Sequence, residues 1–93
     1  MDRKSVLAVH EVVAIEKLKS ALSLRTSPGE TLTESGIRFL IREAIRRQNW
    51  SEKNFHDQGI PVGTLYRAVL AIKGGRHYDL VPNAFERLRA VAD

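Results

Sequence analysis

The stretch Ser51-Glu52-Lys53-Asn54-Phe55-His56-Asp57-Gln58-Gly59-Ile60-Pro61-Val62-Gly63-Thr64-Leu65-Tyr66-Arg67-Ala68-Val69 decides the fold. Ser51 suits an N-cap, since its side chain can satisfy an orphan amide of the first turn, and it opens a short helix running to about Gln58. Gly59 suits the left-handed conformation that ends such a helix. Pro61 suits the first turn of a second helix, where its missing N–H is no loss and its fixed φ is already helical. Leu65, Val69 and Ile72 then keep the four-then-three spacing of one helix face until Gly74-Gly75 stops it. This is the layout of a helix-turn-helix. Phe55 on the first helix, with Ile60, Leu65 and Val69 after the turn, predicts a small core that sets the interhelical angle and leaves the outer face of the second helix free.

Working outward, Ile37, Leu40, Ile41, Ala44 and Ile45 recur at helical spacing, while Arg38, Arg42 and Arg46 repeat on another face. Before this amphipathic helix, residues 26–34 read as a linker, punctuated by Pro28 and Gly29. They hold two capping-box pairs, Ser27 with Glu30 and Thr31 with Glu34. A first helix spans about Asp2 to Leu24, with Val6, Val9 and Val13 on one side and Ile15, Leu18 and Leu22 on another, among Glu11, Glu16, Lys17 and Lys19. Two readings stay open for it: a helix burying one face on its own domain and the other on a second copy, or a core helix bent near Ala14. Downstream, a loop through Arg76, His77, Tyr78 and Asp79 leads to a last helix, where Asn83 with Glu86 forms a capping box ahead of Phe85, Leu88 and Val91. No segment alternates apolar and polar residues for long, and no Asn-Gly or Asp-Gly turn occurs. The expected class is therefore all-α: a small helical bundle of about five helices containing a helix-turn-helix. Residues 1–25 are its N-terminal helix and candidate dimerisation element, and residues 26–93 the domain that carries the motif.

At 93 residues this is one small domain, too short for most clefts that wrap a substrate, so it is expected to work through its surface. With 43% hydrophobic and 28% charged residues it resembles an ordinary globular chain. There is no cysteine, which excludes disulfides, thiolate metal sites and cysteine nucleophiles. No apolar run reaches the roughly 20 residues that span a bilayer, and Met1-Asp2-Arg3-Lys4 leads into no signal-peptide core. A soluble, cytoplasmic chain is expected, with no membrane partner. The net charge of +4 is unevenly spread. Between Ile37 and Tyr78 eight Lys and Arg face three Asp and Glu, leaving seven against eight elsewhere. A basic middle on a small folded domain is the usual footprint of a nucleic-acid partner, although a solvated surface gives the same count.

Catalysis is not expected. His10, His56 and His77 lie in different segments, His56 and Asp57 point apart on a helix, and no metal-ligand spacing or phosphate-binding glycine motif occurs. No metal and no cofactor is implied.

From Gly36 to Ala92 the chain resembles the small helix-turn-helix domain of Cro/CI-type (XRE-like) phage and bacterial repressors. Separately, Gly59-Ile60-Pro61-Val62-Gly63-Thr64-Leu65-Tyr66-Arg67 resembles the turn and recognition helix of TetR-type regulators, where a Gly-Thr-Leu-Tyr string is common. Both resemblances imply a transcription regulator, repressor-like, that binds double-stranded DNA sequence-specifically, usually as a dimer, with the recognition helix in the major groove. Two residues depart from the Cro-like pattern: Phe55 stands where a small alanine is usual, and Gln58 where an apolar residue precedes the glycine. Pro61, Val62 and Gly63 offer no side-chain hydrogen bond to a base edge. Direct readout would then fall to Thr64, Tyr66 and Arg67, with Val62 against a thymine methyl. Arg67 would grip either a guanine or a phosphate, the phosphate being the commoner partner, and Tyr66 resembles the TetR tyrosine that touches phosphate. Lys53, Lys73, Arg76 and His77 flank the second helix as clamps. Arg46 and Arg47 either track phosphates or form a wet face, to which Arg38 and Arg42 are assigned. Trp50 is assigned to the core. The rival reading is a protein-binding module, an adaptor, antiactivator or antitoxin-like chain, using the same scaffold or the apolar first helix.

Overall fold

The computed structural model describes residues 7–25, 31–74 and 81–93. Within them lie five α-helices, α1 (Val9–Ala21), α2 (Glu34–Arg42), α3 (Glu52–Asp57), α4 (Val62–Gly74) and α5 (Ala84–Ala92), and α2 runs on into a π-helical turn at Glu43–Arg47. There is no strand among the described residues. The all-α bundle is the class the sequence predicts.

Helix α4 is the hub, packed against α1, α2, α3 and α5. Its composition explains why. Val62, Thr64, Leu65, Ala68, Val69 and Ala71 are all buried, more than half its circumference, and the alanines let neighbouring helices come close. One core joins the elements: Ile15 and Leu18 of α1 share it with Ile37, Leu40, Phe55 and Leu88. The division near residue 25 therefore does not separate two packing units.

The helix-turn-helix forms as its residues dictate. Gly59 takes φ +73°, and its N–H donates to the His56 carbonyl at 2.9 Å while that of Ile60 donates to Phe55, also at 2.9 Å. These are the paired bonds of a Schellman motif, and the accompanying apolar contact is supplied by two core residues, Phe55 and Ile60. Pro61 sits one position earlier than expected: its carbonyl accepts from Leu65 at 3.2 Å, which makes it the residue before the helix. At the start of α3, the Ser51 N–H and hydroxyl both donate to Asn54 Oδ1, at 2.7 and 3.0 Å.

Other helix ends differ from expectation. Helix α2 is capped by Thr33, whose Oγ1 accepts from the Gly36 N–H at 3.0 Å; Thr31 is buried instead. The Ser27–Glu30 pair lies outside the described residues, as do Val6, Gly75 and the loop from Arg76 to Asp79. Asn83 precedes α5 but is left-handed, at φ +54°, and its side chain makes no capping hydrogen bond, so the box with Glu86 does not form. Helix α1 runs unbroken through Ala14 and, among the described residues, covers Val9–Ala21 of the expected span. Its start is held by Glu11, only 2% exposed, whose Oε1 accepts from the Ala8 N–H at 2.8 Å.

The π turn at Glu43–Arg47 carries no mark in the sequence. The Gln48 N–H reaches the Glu43 carbonyl at 2.9 Å and that of Trp50 reaches Ala44 at 2.9 Å, with Asn49 left-handed at φ +59°. This widened turn brings Trp50 back over the motif, edge-on to Phe55 with ring centroids 4.9 Å apart, and Phe55 is in turn edge-on to Phe85 at 6.1 Å. Trp50 is thus a packing residue, as assigned.

Candidate nucleic-acid interface

With so much of α4 buried, only a narrow stripe of it faces outward. Gly63, Tyr66, Arg67, Leu70 and Lys73 fall on that stripe at three- and four-residue intervals. Tyr66, Arg67 and Leu70 are half-buried and Lys73 is exposed. Tyr66, Leu70 and Lys73 of this stripe line a groove of about 350 Å³ between α2, α4 and α5. It brings Arg38 and Glu34 of α2 and Arg87 of α5 to the same place as Tyr66, Leu70 and Lys73. Among the described residues, three cations thus face one carboxylate around a tyrosine.

Two expected base readers are placed elsewhere. Val62 is 8% and Thr64 6% exposed. Thr64 Oγ1 accepts from Arg67 Nη2 at 3.2 Å, so its hydroxyl is turned to a neighbour within the molecule. For Thr64 the cause is α1, which lies along the start of α4. Val9, His10, Val13 and Lys17 surround a second hollow with Gly59, Pro61 and Thr64, and Lys17 Nζ donates to the Gly59 carbonyl at 3.4 Å. Arg67 is tethered in the same way, and its Nε is out of contact with solvent. The outer face of the second helix is therefore not free along its length.

The remaining candidates divide. Lys73 joins the groove. Lys53 pairs with Asp57 at 3.0 Å on the exposed side of α3. Arg46 pairs with Asp93 at 2.6 Å and Arg47 with Glu43 at 3.8 Å. Arg46 lines a different hollow, beside Trp50, Phe85 and Arg89. Arg76 and His77 lie outside the described residues. Arg42 Nε donates to the Ala92 carbonyl at 3.2 Å, tying α2 to the end of α5. Arg38, assigned to the wet face, lines the groove instead, and so does Arg87, which no sequence motif marks. Helical periodicity puts Arg87 beside Leu88, but only the packing of α5 against α2 and α4 tells which groove it borders.

Among the described residues no three His, Cys, Asp or Glu are grouped to hold a metal ion, and no helix is long and apolar enough to cross a membrane. Compared with known proteins, the chain matches no family model, no curated protein and no solved structure.

Proposed function

We propose that this chain is a double-stranded-DNA-binding regulator of helix-turn-helix type, acting in the cytoplasm, that meets DNA with the outward stripe of α4 and the groove beside it. The observation that carries the reading is the convergence of Arg38, Lys73 and Arg87 from three helices around Tyr66, with Glu34 the one carboxylate lining the groove among the described residues. Cations held on a rigid frame are what a phosphate strand requires, and a phenol hydroxyl adds a donor. The basic middle of the sequence supplies an attractive field at longer range. The test is a titration with duplex DNA at several salt concentrations. Neutralising about three phosphates predicts a slope of log affinity against log salt near about −2.7, from the condensed counterions released. Binding insensitive to salt would refute the reading.

A second reading has its own observation. Val9 is 80% exposed and Val13 46%, side by side on α1 next to Pro61. That patch suits a protein partner or a second copy of the chain, the role assigned to the N-terminal helix. A monomer in sedimentation at high concentration would exclude the second copy.

A further inference from the structure

We infer that the chain grips duplex DNA by its phosphate backbone and does not read base sequence; this rests on the reading above and specifies how that surface works. A helix that reads bases must project its first turns into the major groove with side chains that can donate or accept there. None of the first three positions around the start of α4 does so. Pro61 is exposed but has no donor, Val62 is buried and apolar, and Gly63 has no side chain. Thr64, the next residue, is buried with its hydroxyl engaged by Arg67. The start of α4 is also flanked by α1, whose Val9 and Val13 stand beside Pro61.

Further along α4 the obstacle is shape. Tyr66, Leu70 and Lys73 line a groove together with residues of α2 and α5, the two helices that flank this part of α4. A helix flanked on both sides in this way is hindered from entering a major groove, whereas a phosphate strand lying across the groove meets cations from all three helices. Arg38 lines it from α2, Arg87 from α5 and Lys73 from α4. Contacts to phosphates position a protein on DNA and carry no direct sequence information.

The experiment uses the full chain, two fixed duplexes of opposite base composition, and a randomised duplex library taken through rounds of selection. The expected result is affinity for the two duplexes within about threefold, against the ~10³ to 10⁷ preference of sequence-specific proteins, and no motif enriched from the library. Arg38→Ala, Lys73→Ala and Arg87→Ala should each weaken both duplexes by the same factor and lower the salt slope by about 0.9. Lys73 is the cleanest position, since Arg87 Nε also donates to the Pro82 carbonyl at 3.0 Å and its loss can disturb the start of α5. An enriched motif favoured by more than about 10³ would overturn the inference and leave DNA binding intact. Unchanged slopes in all three variants would overturn the groove as the contact surface. No binding to any duplex at low salt would overturn both the inference and the reading beneath it.

Discussion

Single residues of the motif make opposite demands on the backbone. Gly59 is held at φ +73°, where an L side chain costs about 1–2 kcal/mol, so Gly59→Ala should lower stability by that amount in a denaturant titration. Space is not the reason, since the nearest atom to an added Cβ is Lys17 Nζ at 3.5 Å, a flexible chain end. Gly63 lies inside α4 with nothing within 4 Å of an added Cβ. Gly63→Ala should therefore raise stability, by up to about 1 kcal/mol, measured in the same way. Equal destabilisation by both changes would show that the two glycines share a packing role. Gly59 was legible in the sequence because a left-handed glycine before an apolar residue is a local signal. The burial of Thr64 was not, because it depends on α1, whose placement no local spacing encodes.

At the scale of elements, caps show how far local signals reach. The sequence signature of a capping box requires a Ser, Thr, Asp or Asn, and α1 opens at Ala8, so its start carries no such mark. Only the second half of the box is present, the buried Glu11 carboxylate accepting from the Ala8 N–H. Glu11→Ala would remove that acceptor from a largely buried setting, and a loss of about 1–3 kcal/mol is expected in thermal or denaturant unfolding. A neutral result would mean water takes over the Ala8 amide. Helix α2 is the converse case: its apolar spacing was plain, but the capping-box pattern pointed to Ser27 and Thr31, whereas the cap is Thr33. Thr33→Ala should cost about 0.5–2 kcal/mol, while a conservative Thr33→Ser should cost far less. The π turn escaped notice because residues 43–47 continue the apolar pattern of α2, and the extra residue shows only in the hydrogen bonds to Glu43 and Ala44.

For the whole molecule, the bundle class followed from helix periodicity and the want of strand signals, but the interface did not. A groove built by α2, α4 and α5 depends on which helices end up adjacent, and the hub position of α4 reverses the expectation that its outer face stands clear. The same packing places two different surfaces on one small frame: the cationic groove lined by α2, α4 and α5, and the exposed valines of α1 beside Pro61. They can be separated by charge. Val9→Lys with Val13→Lys adds two cations at exposed positions, so stability should change little, within about 0.5 kcal/mol for each site. If DNA is the partner through the groove, duplex affinity is retained or rises at low salt, because added positive charge strengthens the long-range attraction. If the valine patch is where this chain meets a protein, the double change places two ammonium groups in an apolar contact and abolishes it. Duplex titration and sedimentation of the same variant thus test the two surfaces independently, and loss of duplex binding in a stably folded variant would assign the DNA contact to α1.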